Sequence, residues 1–366
     1  MKSHNIVILT SVFPVGSVAT NGIFVYKIAH YLKIHYKVRV CLTVNQFSYF
    51  KLLKAKKDSG LHTQFSLTVL PYISFGVIWF FRVIPQLISA FFSGLFLLPL
   101  NSKTIYYGKF NFGAVLSVLF AKATGGFSVG DFGESNFMKS SSFYPDFVLK
   151  FVFKNIDAAI CLNQNIFNKV KGIRENSDGI YLLHNGVDLE VFRPFTGAMN
   201  PSNVLRCLFV GHFIPRKGVS EASAAISLSG NIGNFIGSGP LEPSGLHVLS
   251  SSCVDHRELP SHLQNADIFV FPSYNEGSPN ALIEAISSGL PVVGWDLPFM
   301  REHTTPEFAI LVSPGDVAGL SEAIKFISDN LDVRIQMSIC ARSYACSHFS
   351  LACRNKKILK ILSHLD

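Results

Sequence analysis

Two glutamates in the second half of the chain carry the clearest sign of chemistry. Glu276 lies just before a predicted helix, and Glu284 lies eight residues later, inside that helix, among small and apolar neighbours. A carboxylate in such surroundings is costly to bury unless it accepts hydrogen bonds, and the hydroxyls of a sugar or ribose are natural donors. Two glutamates at this spacing also occur by chance, so a cap residue and a solvated helix residue are the alternative assignment.

The sequence around these glutamates predicts the elements that position them. A buried strand over residues 267–271 runs into a loop, and Ser278 is expected to cap a helix that has Pro279 at its first position and ends near Gly289. A helix that starts at the carboxyl end of a parallel strand presents unpaired backbone N–H groups and a partial positive charge. This arrangement suits a phosphate or pyrophosphate.

The rest of the chain has the same rhythm of strand and helix. Apolar, strand-like runs alternate with segments of helical period, which predicts an α/β fold of two doubly wound parallel-sheet domains facing a central cleft. The predicted domains are residues 1–190, residues 191–345, and a C-terminal helix over 346–366 that returns to the first domain. The predicted strands cover residues 38–44, 156–162, 180–183, 205–210, 234–236, 267–271 and 291–293.

The composition excludes several classes of protein. The 366 residues suffice for two domains, and 48% of them are hydrophobic. Charged residues make up only 15%, against roughly 25% in ordinary globular domains, and this balance excludes a disordered chain. The net charge is +8, but no lysine or arginine run is interleaved with stacking aromatic residues, so we expect no nucleic-acid partner.

The first apolar run, residues 5–13, mimics a signal peptide because it follows a weak positive charge. We expect it to be a buried first strand instead, since Pro14, Val15 and Gly16 supply the turn that follows a strand. The chain is accordingly expected to be cytoplasmic.

Residues 67–100 form the most unusual apolar stretch. Two uncharged runs are separated there by Arg82, Pro85 and Gln86, and neither reaches the ~20 residues that a membrane-spanning helix needs. Two interpretations stay open. The runs are either two well-buried helices of the first domain, or a hydrophobic surface in the lipid headgroup region, helped by the lysines between residues 51 and 57.

The motif EGSPNALIEA, followed by SGLPVV, resembles the two-glutamate motif of the family 4 retaining glycosyltransferases, which have the GT-B fold. Other stretches agree, and the resemblance spans nearly the whole chain, although it is weak between residues 49 and 102. The other stretches are the first loop with Gly22, the NGVD passage over residues 183–188, the phosphate-binding loop over residues 209–218, and the glycine-rich turn over residues 237–240. For the last of these, a simple tight turn is an equally good assignment.

The resemblance assigns roles to individual residues. It implies that Glu276 contacts the hydroxyls of the donor sugar, that Glu284 contacts the nucleotide ribose, and that Lys217 holds the diphosphate. It implies no metal ion, in keeping with the absence of any Asp-x-Asp sequence. The remaining expected donor-binding residues are Gly22, Gly211, His212, Arg216, Gly277, Ser278, Pro279, Asn280 and Ala281.

Two positions depart from the family pattern. His212 stands where an arginine is usual, and Arg216 is the expected substitute for that cation. No histidine occurs in residues 127–135, where many members carry one on the acceptor side. Asp131 or Glu134 is the candidate to accept the acceptor's proton or to position its hydroxyl, and a cap or turn role is the alternative. In the family the leaving phosphate itself is thought to take that proton.

The function that follows is transfer of a sugar, with retention, from a UDP- or GDP-sugar to a glycan acceptor. No cofactor is expected beyond this co-substrate. The apolar, basic first domain suggests a polyprenyl-linked acceptor, peripheral contact with the inner face of the cell membrane, and a role in bacterial lipopolysaccharide or capsule synthesis. The alternatives are a catalytically silent glycosyltransferase-like binding subunit and a sugar-nucleotide epimerase.

Overall fold

The computed structural model of this chain describes residues 5–11, 23–45, 66–72, 88–95, 103–133, 146–197, 202, 204–251 and 254–365. The chain divides into two compact units. Unit 1 contains the residues up to Leu183 together with those from Asn355 onward, and unit 2 contains His184–Arg354. The divisions therefore fall at 183/184 and 354/355, where the sequence suggested 190/191 and 345/346.

Unit 1 is built on a parallel sheet. Its described strands are β1 (Asn5–Thr10), β2 (Lys37–Asn45), β3 (Ser66–Tyr72), β4 (Thr104–Lys109), β5 (Phe127–Phe132), β6 (Ala158–Cys161) and β7 (Ile180–Leu182). Their order is β3-β2-β1-β4-β5-β6-β7, and every described pairing is parallel. The interior strand β1 is the buried first strand that its apolar run predicts, although it ends at Thr10.

Helices cover both faces of this sheet. They are α1 (Ile23–Leu32), α2 (88–95), α3 (Phe110–Thr124), α4 (Asp146–Asn155) and α5 (Gln164–Arg174). Because successive side chains of a strand point to opposite faces, Ile6 and Ile8 of β1 pack in the same core as α1 and Ile358. Val7 and Leu9 pack in the core that contains α2 and α3.

The apolar stretch over residues 67–100 differs from the prediction of two well-buried helices. Ser66–Tyr72 form β3, which pairs in parallel with β2, and only residues 88–95 are helical in the described part of the stretch. A strand of a parallel sheet can be apolar throughout, so its sequence resembles that of a buried helix. The separating residues around Arg82 and the lysines between 51 and 57 lie outside the described residues.

Unit 2 repeats the architecture with a second parallel sheet. Its strands are β8 (Arg206–Val210), β9 (Ile232–Ile236), β10 (Val248–Ser251), β11 (Ile268–Phe271), β12 (Val292–Trp295) and β13 (Ala309–Val312). Their order is β10-β9-β8-β11-β12-β13. The two parallel sheets confirm the predicted fold class. The order reverses between β8 and β11, and ligands of such sheets bind beyond the carboxyl ends of the strands at this point.

The helices of unit 2 complete the fold. They are α6 (Val219–Leu228), α7 (Leu259–Gln264), α8 (Asn280–Ser287), α9 (Pro298–His303), α10 (Val317–Asp329), α11 (Leu331–His348) and α12 (Leu351–Ser363). The last of these begins at Leu351, within the C-terminal helix predicted over 346–366, and its residues from Asn355 belong to unit 1. In the part of the chain that the structure describes, no helix is both long and apolar enough to cross a membrane.

Candidate active site

The loops that follow β8 and β11 form the candidate site in unit 2. The two strands pair in parallel through Cys207 with Ile268 and Leu208 with Phe269, so both chains leave the sheet at the same edge. The first loop continues as a 3₁₀ turn over Pro215–Lys217, and the second leads to α8. Residues far apart in the sequence therefore meet at the switch point.

Lys217 and Glu276 meet at this point in a direct ion pair. Lys217 Nζ donates to Glu276 Oε1 at 2.5 Å, and Ser273 Oγ donates to the same oxygen at 2.6 Å. The Lys217 side chain is 15% exposed and that of Glu276 is 8% exposed. The pair is thus sheltered but open to a ligand. Ser273 also belongs to this cluster, and the sequence did not reveal its role.

Arg216 holds the two loops against each other. Its guanidinium donates from Nη1 to the Asn275 carbonyl oxygen, and the same atom lies 3.8 Å from Glu276 Oε2. Its own carbonyl oxygen accepts from the Tyr274 backbone N–H at 2.9 Å. Arg216 therefore adds a second cation to the cluster. His212, at the position of the usual family arginine, is exposed.

Glycines allow the loops to pack this closely. Gly218 has φ +69°, and a Cβ atom built there would lie 2.1 Å from the Pro272 carbonyl oxygen. At Gly237 a Cβ atom would lie 1.8 Å from the Gly211 carbonyl oxygen. The glycine-rich turn also pairs with the first loop, since Phe213 N donates to Ser238 O at 2.9 Å. It is part of the loop assembly and not an independent turn.

Helix α8 begins in a different way from the prediction. Asn280 is its first residue, Pro279 is the residue before it, and no side chain caps its N-terminus. Ser278, the predicted cap, has a buried Oγ without a hydrogen-bond partner, so that assignment is wrong. The helix starts after the proline because the Ser278 carbonyl oxygen instead accepts from the Asn280 N–H in a tight turn. Gly277 precedes this turn.

The NGVD passage and the first turn of α8 contact each other. Asn185 Nδ2 donates to Asn280 Oδ1 at 2.8 Å, and both side chains are in unit 2. Ala281 is half-buried in the first turn of the helix. The uncapped N-terminus of α8 therefore lies beside a stretch that the resemblance had singled out independently.

Glu284 is paired with a histidine that the sequence did not point to. Glu284 Oε1 lies 3.0 Å from His256 Nε2, and the carboxylate is largely buried inside α8. The His256 ring also meets the Phe192 ring edge-on, with 5.6 Å between centroids. His256 lies just before α7 in a polar stretch without a motif, so the sequence carried no signal for it.

The predicted acceptor-side residues lie in unit 1. Asp131 is inside β5, where its Oδ2 accepts from Tyr107 OH at 2.7 Å and lies 2.8 Å from Lys109 Nζ. It is therefore a buried, ion-paired strand residue and not a loop, cap or turn carboxylate. Glu134 and Gly22 fall outside the described residues. Among the residues that the structure describes, no cluster of three or more His, Cys, Asp or Glu side chains has the geometry to hold a metal ion.

A family model matches part of this second unit, and relatives of known sequence match part of the chain. The family model of the glycosyl transferases group 1 matches residues 205–330. TuaC of Bacillus subtilis, a provisionally assigned teichuronic acid biosynthesis glycosyltransferase, is 32% identical over 123 residues, which cover 32% of this chain and 31% of TuaC. The N,N'-diacetylbacillosaminyl-diphospho-undecaprenol alpha-1,3-N-acetylgalactosaminyltransferase of Campylobacter jejuni is 25% identical over 210 residues, covering 52% of this chain and 56% of that enzyme.

Solved structures match over a longer range. Anabaena Alr3699/HepE in complex with UDP has a TM-score of 0.73 and 14% sequence identity, with 98% of this chain and 100% of that chain covered. At this identity the likeness concerns the fold, which is that of the GT-B glycosyltransferases. The matched segments of the two sequence relatives span only about a third to about half of their lengths. By the family model, residues 205–330 are a glycosyl transferases group 1 domain, and the two sequence relatives are glycosyltransferases by name.

Proposed function

We propose that the protein is a retaining glycosyltransferase that takes a sugar from a nucleotide-sugar and transfers it to a glycan acceptor. One observation carries the proposal. The Lys217–Glu276 pair lies at the topological switch point of the group 1 domain, beside the uncapped N-terminus of α8. A cation, a carboxylate and free backbone N–H groups are the components that a sugar diphosphate requires.

The cation and the helix N-terminus act on the leaving group. Negative charge builds on the nucleotide diphosphate as the glycosidic bond breaks, so groups directed at it stabilise the transition state more than the ground state. Lys217 and Arg216 supply this charge in the proposed mechanism, without a metal ion. Gly218 lets the loop that carries these cations pack against the Pro272 carbonyl oxygen, which holds Arg216 and Lys217 beside Glu276.

The two glutamates bind the two ends of the donor. Glu276 accepts hydrogen bonds from the sugar hydroxyls once Lys217 turns from it to the diphosphate, and Ser273 keeps the carboxylate in place meanwhile. Glu284, fixed by His256, accepts from the ribose hydroxyls. The acceptor hydroxyl passes its proton to the leaving phosphate, which makes a separate protein base unnecessary. Retention of configuration is part of the proposal.

The acceptor that we propose is a lipid-linked glycan. The Campylobacter relative acts, by its name, on a diphospho-undecaprenol substrate, and TuaC belongs by its name to polysaccharide synthesis. A net charge of +8 and a low content of charged residues fit a protein that works at an anionic membrane surface. The proposed setting is bacterial surface polysaccharide assembly on the cytoplasmic face of the membrane.

A thermal-shift panel tests the donor site. Purified protein is heated with UDP-, GDP-, ADP- and CMP-sugars, and the panel is repeated with Glu284→Ala and Lys217→Ala. A ligand at 100 times its dissociation constant stabilises the folded protein by about 2.7 kcal/mol. We expect a shift with one nucleotide class, which both substitutions abolish. His35→Ala, at an exposed histidine of unit 1, is the control that keeps the shift.

Two outcomes would overturn the proposal. No shift with any sugar nucleotide, from protein that unfolds cooperatively, contradicts a donor site. A shift without transfer to any lipid-linked glycan acceptor favours the silent binding subunit instead. When transfer is found, the anomeric configuration of the product by NMR decides between retention and inversion.

A further inference from the structure

Helix α4 exposes two phenylalanines that take no part in its packing on the core of unit 1. Phe147 is 66% exposed and Phe151 is 41% exposed, and they lie one turn apart. The helix already packs on the core of unit 1 through Leu149, Val152 and Phe153. The exposed phenylalanines therefore lie outside the face through which α4 packs on the core.

Two lysines lie on the same side of α4 as these phenylalanines. At 3.6 residues per turn, positions 147, 150, 151 and 154 fall within an arc of about 100°. Lys150 and Lys154 are both exposed. The only acid of the helix, Asp146, is its first residue. We call Phe147, Lys150, Phe151 and Lys154 the α4 face; it combines aromatic area with positive charge.

A second exposed apolar pair lies on the same side of the sheet. Ile88 and Phe92 of α2 are also one turn apart and exposed. Helix α2 packs against Phe120 of α3 through Phe91, with 5.1 Å between ring centroids, and α3 in turn shares a core with α4. The two exposed pairs therefore belong to one helical layer of unit 1.

We propose that the α4 face docks unit 1 on an anionic phospholipid bilayer. Phenylalanines on a helix lying in the interface bury their rings at the headgroup level, and lysines beside them bind lipid phosphates. An apolar protein groove would not need the two lysines, and a second copy of this basic chain would place like charges together. The inference rests on the proposed function only in that the bilayer is where a lipid-linked acceptor would be met.

Vesicle co-sedimentation tests this inference on the full chain. The vesicles are phosphatidylcholine alone, or phosphatidylcholine with 30% phosphatidylglycerol. We expect binding to the anionic vesicles that falls with added salt, and weak binding to the neutral ones. Because a lysine near an anionic surface contributes about a fivefold factor, Lys150→Glu/Lys154→Glu should weaken binding at least 25-fold, about fivefold per lysine. Phe147→Ser/Phe151→Ser should weaken it at least about tenfold.

A matched variant in unit 2 controls for general charge and apolarity. Lys325→Glu/Phe326→Ser changes an exposed lysine and an exposed phenylalanine of α10, and it should leave binding unchanged. Equal loss in this control and in the α4 variants would overturn the proposal, as would anionic binding that survives both α4 variants. Dimerisation in solution that only the α4 variants abolish would assign the face to a second copy.

The test separates this inference from the proposed function. The α4 variants leave the unit 2 site untouched, so their donor-induced thermal shift should equal that of the unaltered chain. A chain that binds sugar nucleotides but no vesicles refutes the docking face alone. A chain that binds vesicles through the α4 face but no sugar nucleotide refutes the donor site alone.

Discussion

Each unit places a lysine–carboxylate pair near the carboxyl ends of its parallel strands, but the two pairs are suited to different tasks. In unit 1, Lys109 and Asp131 are 5% and 1% exposed, and Tyr107 donates a further hydrogen bond to the carboxylate. In unit 2, Lys217 and Glu276 are 15% and 8% exposed. The residue types are nearly the same, and the exposure differs.

The difference follows from where each pair lies in its unit. Lys109 and Asp131 are strand residues, paired in register between β4 and β5. Lys217 and Glu276 lie in the loops beyond β8 and β11. A pair between strands is sealed by the sheet and its helices, whereas a pair in the loops meets whatever enters from solution. We therefore assign the first pair to stability and the second to donor binding.

The largest expected effect is at the buried Lys109–Asp131 pair. Removing one partner of a buried ion pair leaves an uncompensated charge and typically costs about 3–5 kcal/mol. Asp131→Asn should lower the free energy of unfolding by this amount in urea denaturation. Glu276→Gln should lower it by less, because Lys217 is more exposed than Lys109 and can turn towards solvent. Equal losses for the two variants would remove the distinction between the pairs.

The next effect concerns His303, a buried titratable group in unit 2. Burial, and then the nearby His184, lower the pKa of His303 from 6.5 to about 4. The unfolded chain then binds more protons below pH 6.5, so the stabilisation is complete above that pH and is lost as the pH falls towards 4. The loss should reach about 3 kcal/mol.

Denaturation curves between pH 7 and pH 4 measure this loss. His303→Gln, which keeps a donor for the Phe299 carbonyl oxygen, should flatten the pH dependence over that range. His35→Gln, at an exposed histidine, should leave it as it is. The same slope in all three proteins would show that the neutral, buried histidine is not its source.

Two glycines with similar positive φ angles test how the loops around the Lys217–Glu276 pair are packed. Gly218→Ala combines φ +69° with a clash against the Pro272 carbonyl oxygen, whereas Gly230→Ala has φ +74° and open space around the new methyl group. We expect about 1 kcal/mol for Gly230→Ala and about 2 kcal/mol or more for Gly218→Ala. Only Gly218→Ala should also lose the donor-induced thermal shift. If Gly218→Ala kept that shift, the packing of this loop would not be needed for donor binding.

The smallest effect concerns His256. A hydrogen bond to a charged group contributes about 1.5–3 kcal/mol, and only part of this should be lost when Glu284 can bind water instead. His256→Ala should weaken donor affinity about tenfold, less than Glu284→Ala does. Calorimetric titration measures both. Unchanged affinity in His256→Ala would limit the histidine to packing against Phe192.

The sequence allowed much of unit 2 to be predicted, because its signals are local. The strand before Glu276, the helix around Glu284 and the glycines of the loops each follow from residue types within a few positions. The resemblance assigned Lys217 and Glu276 to the donor, but it did not predict their contact with each other, since the two residues are 59 positions apart.

The remaining features depend on tertiary contacts that local patterns do not contain. Ser278 looked like a helix cap, but the turn before α8 uses its carbonyl oxygen instead. Residues 66–72 were apolar enough for a buried helix, and only their pairing with β2 makes them a strand. Asp131 looked like a loop carboxylate because neither Lys109 nor Tyr107 is near it in the sequence.

Lys217→Met tests most directly the assignment of the Lys217–Glu276 pair to donor binding. The sugar nucleotide chosen by the panel is titrated calorimetrically into this variant and into the unaltered chain, and the unfolding midpoint of each is measured without ligand. We predict that affinity falls at least about tenfold, a loss of about 1.4 kcal/mol, while the midpoint stays within about 2 °C. Unchanged affinity, or a loss of affinity explained by a lower midpoint, would contradict the assignment.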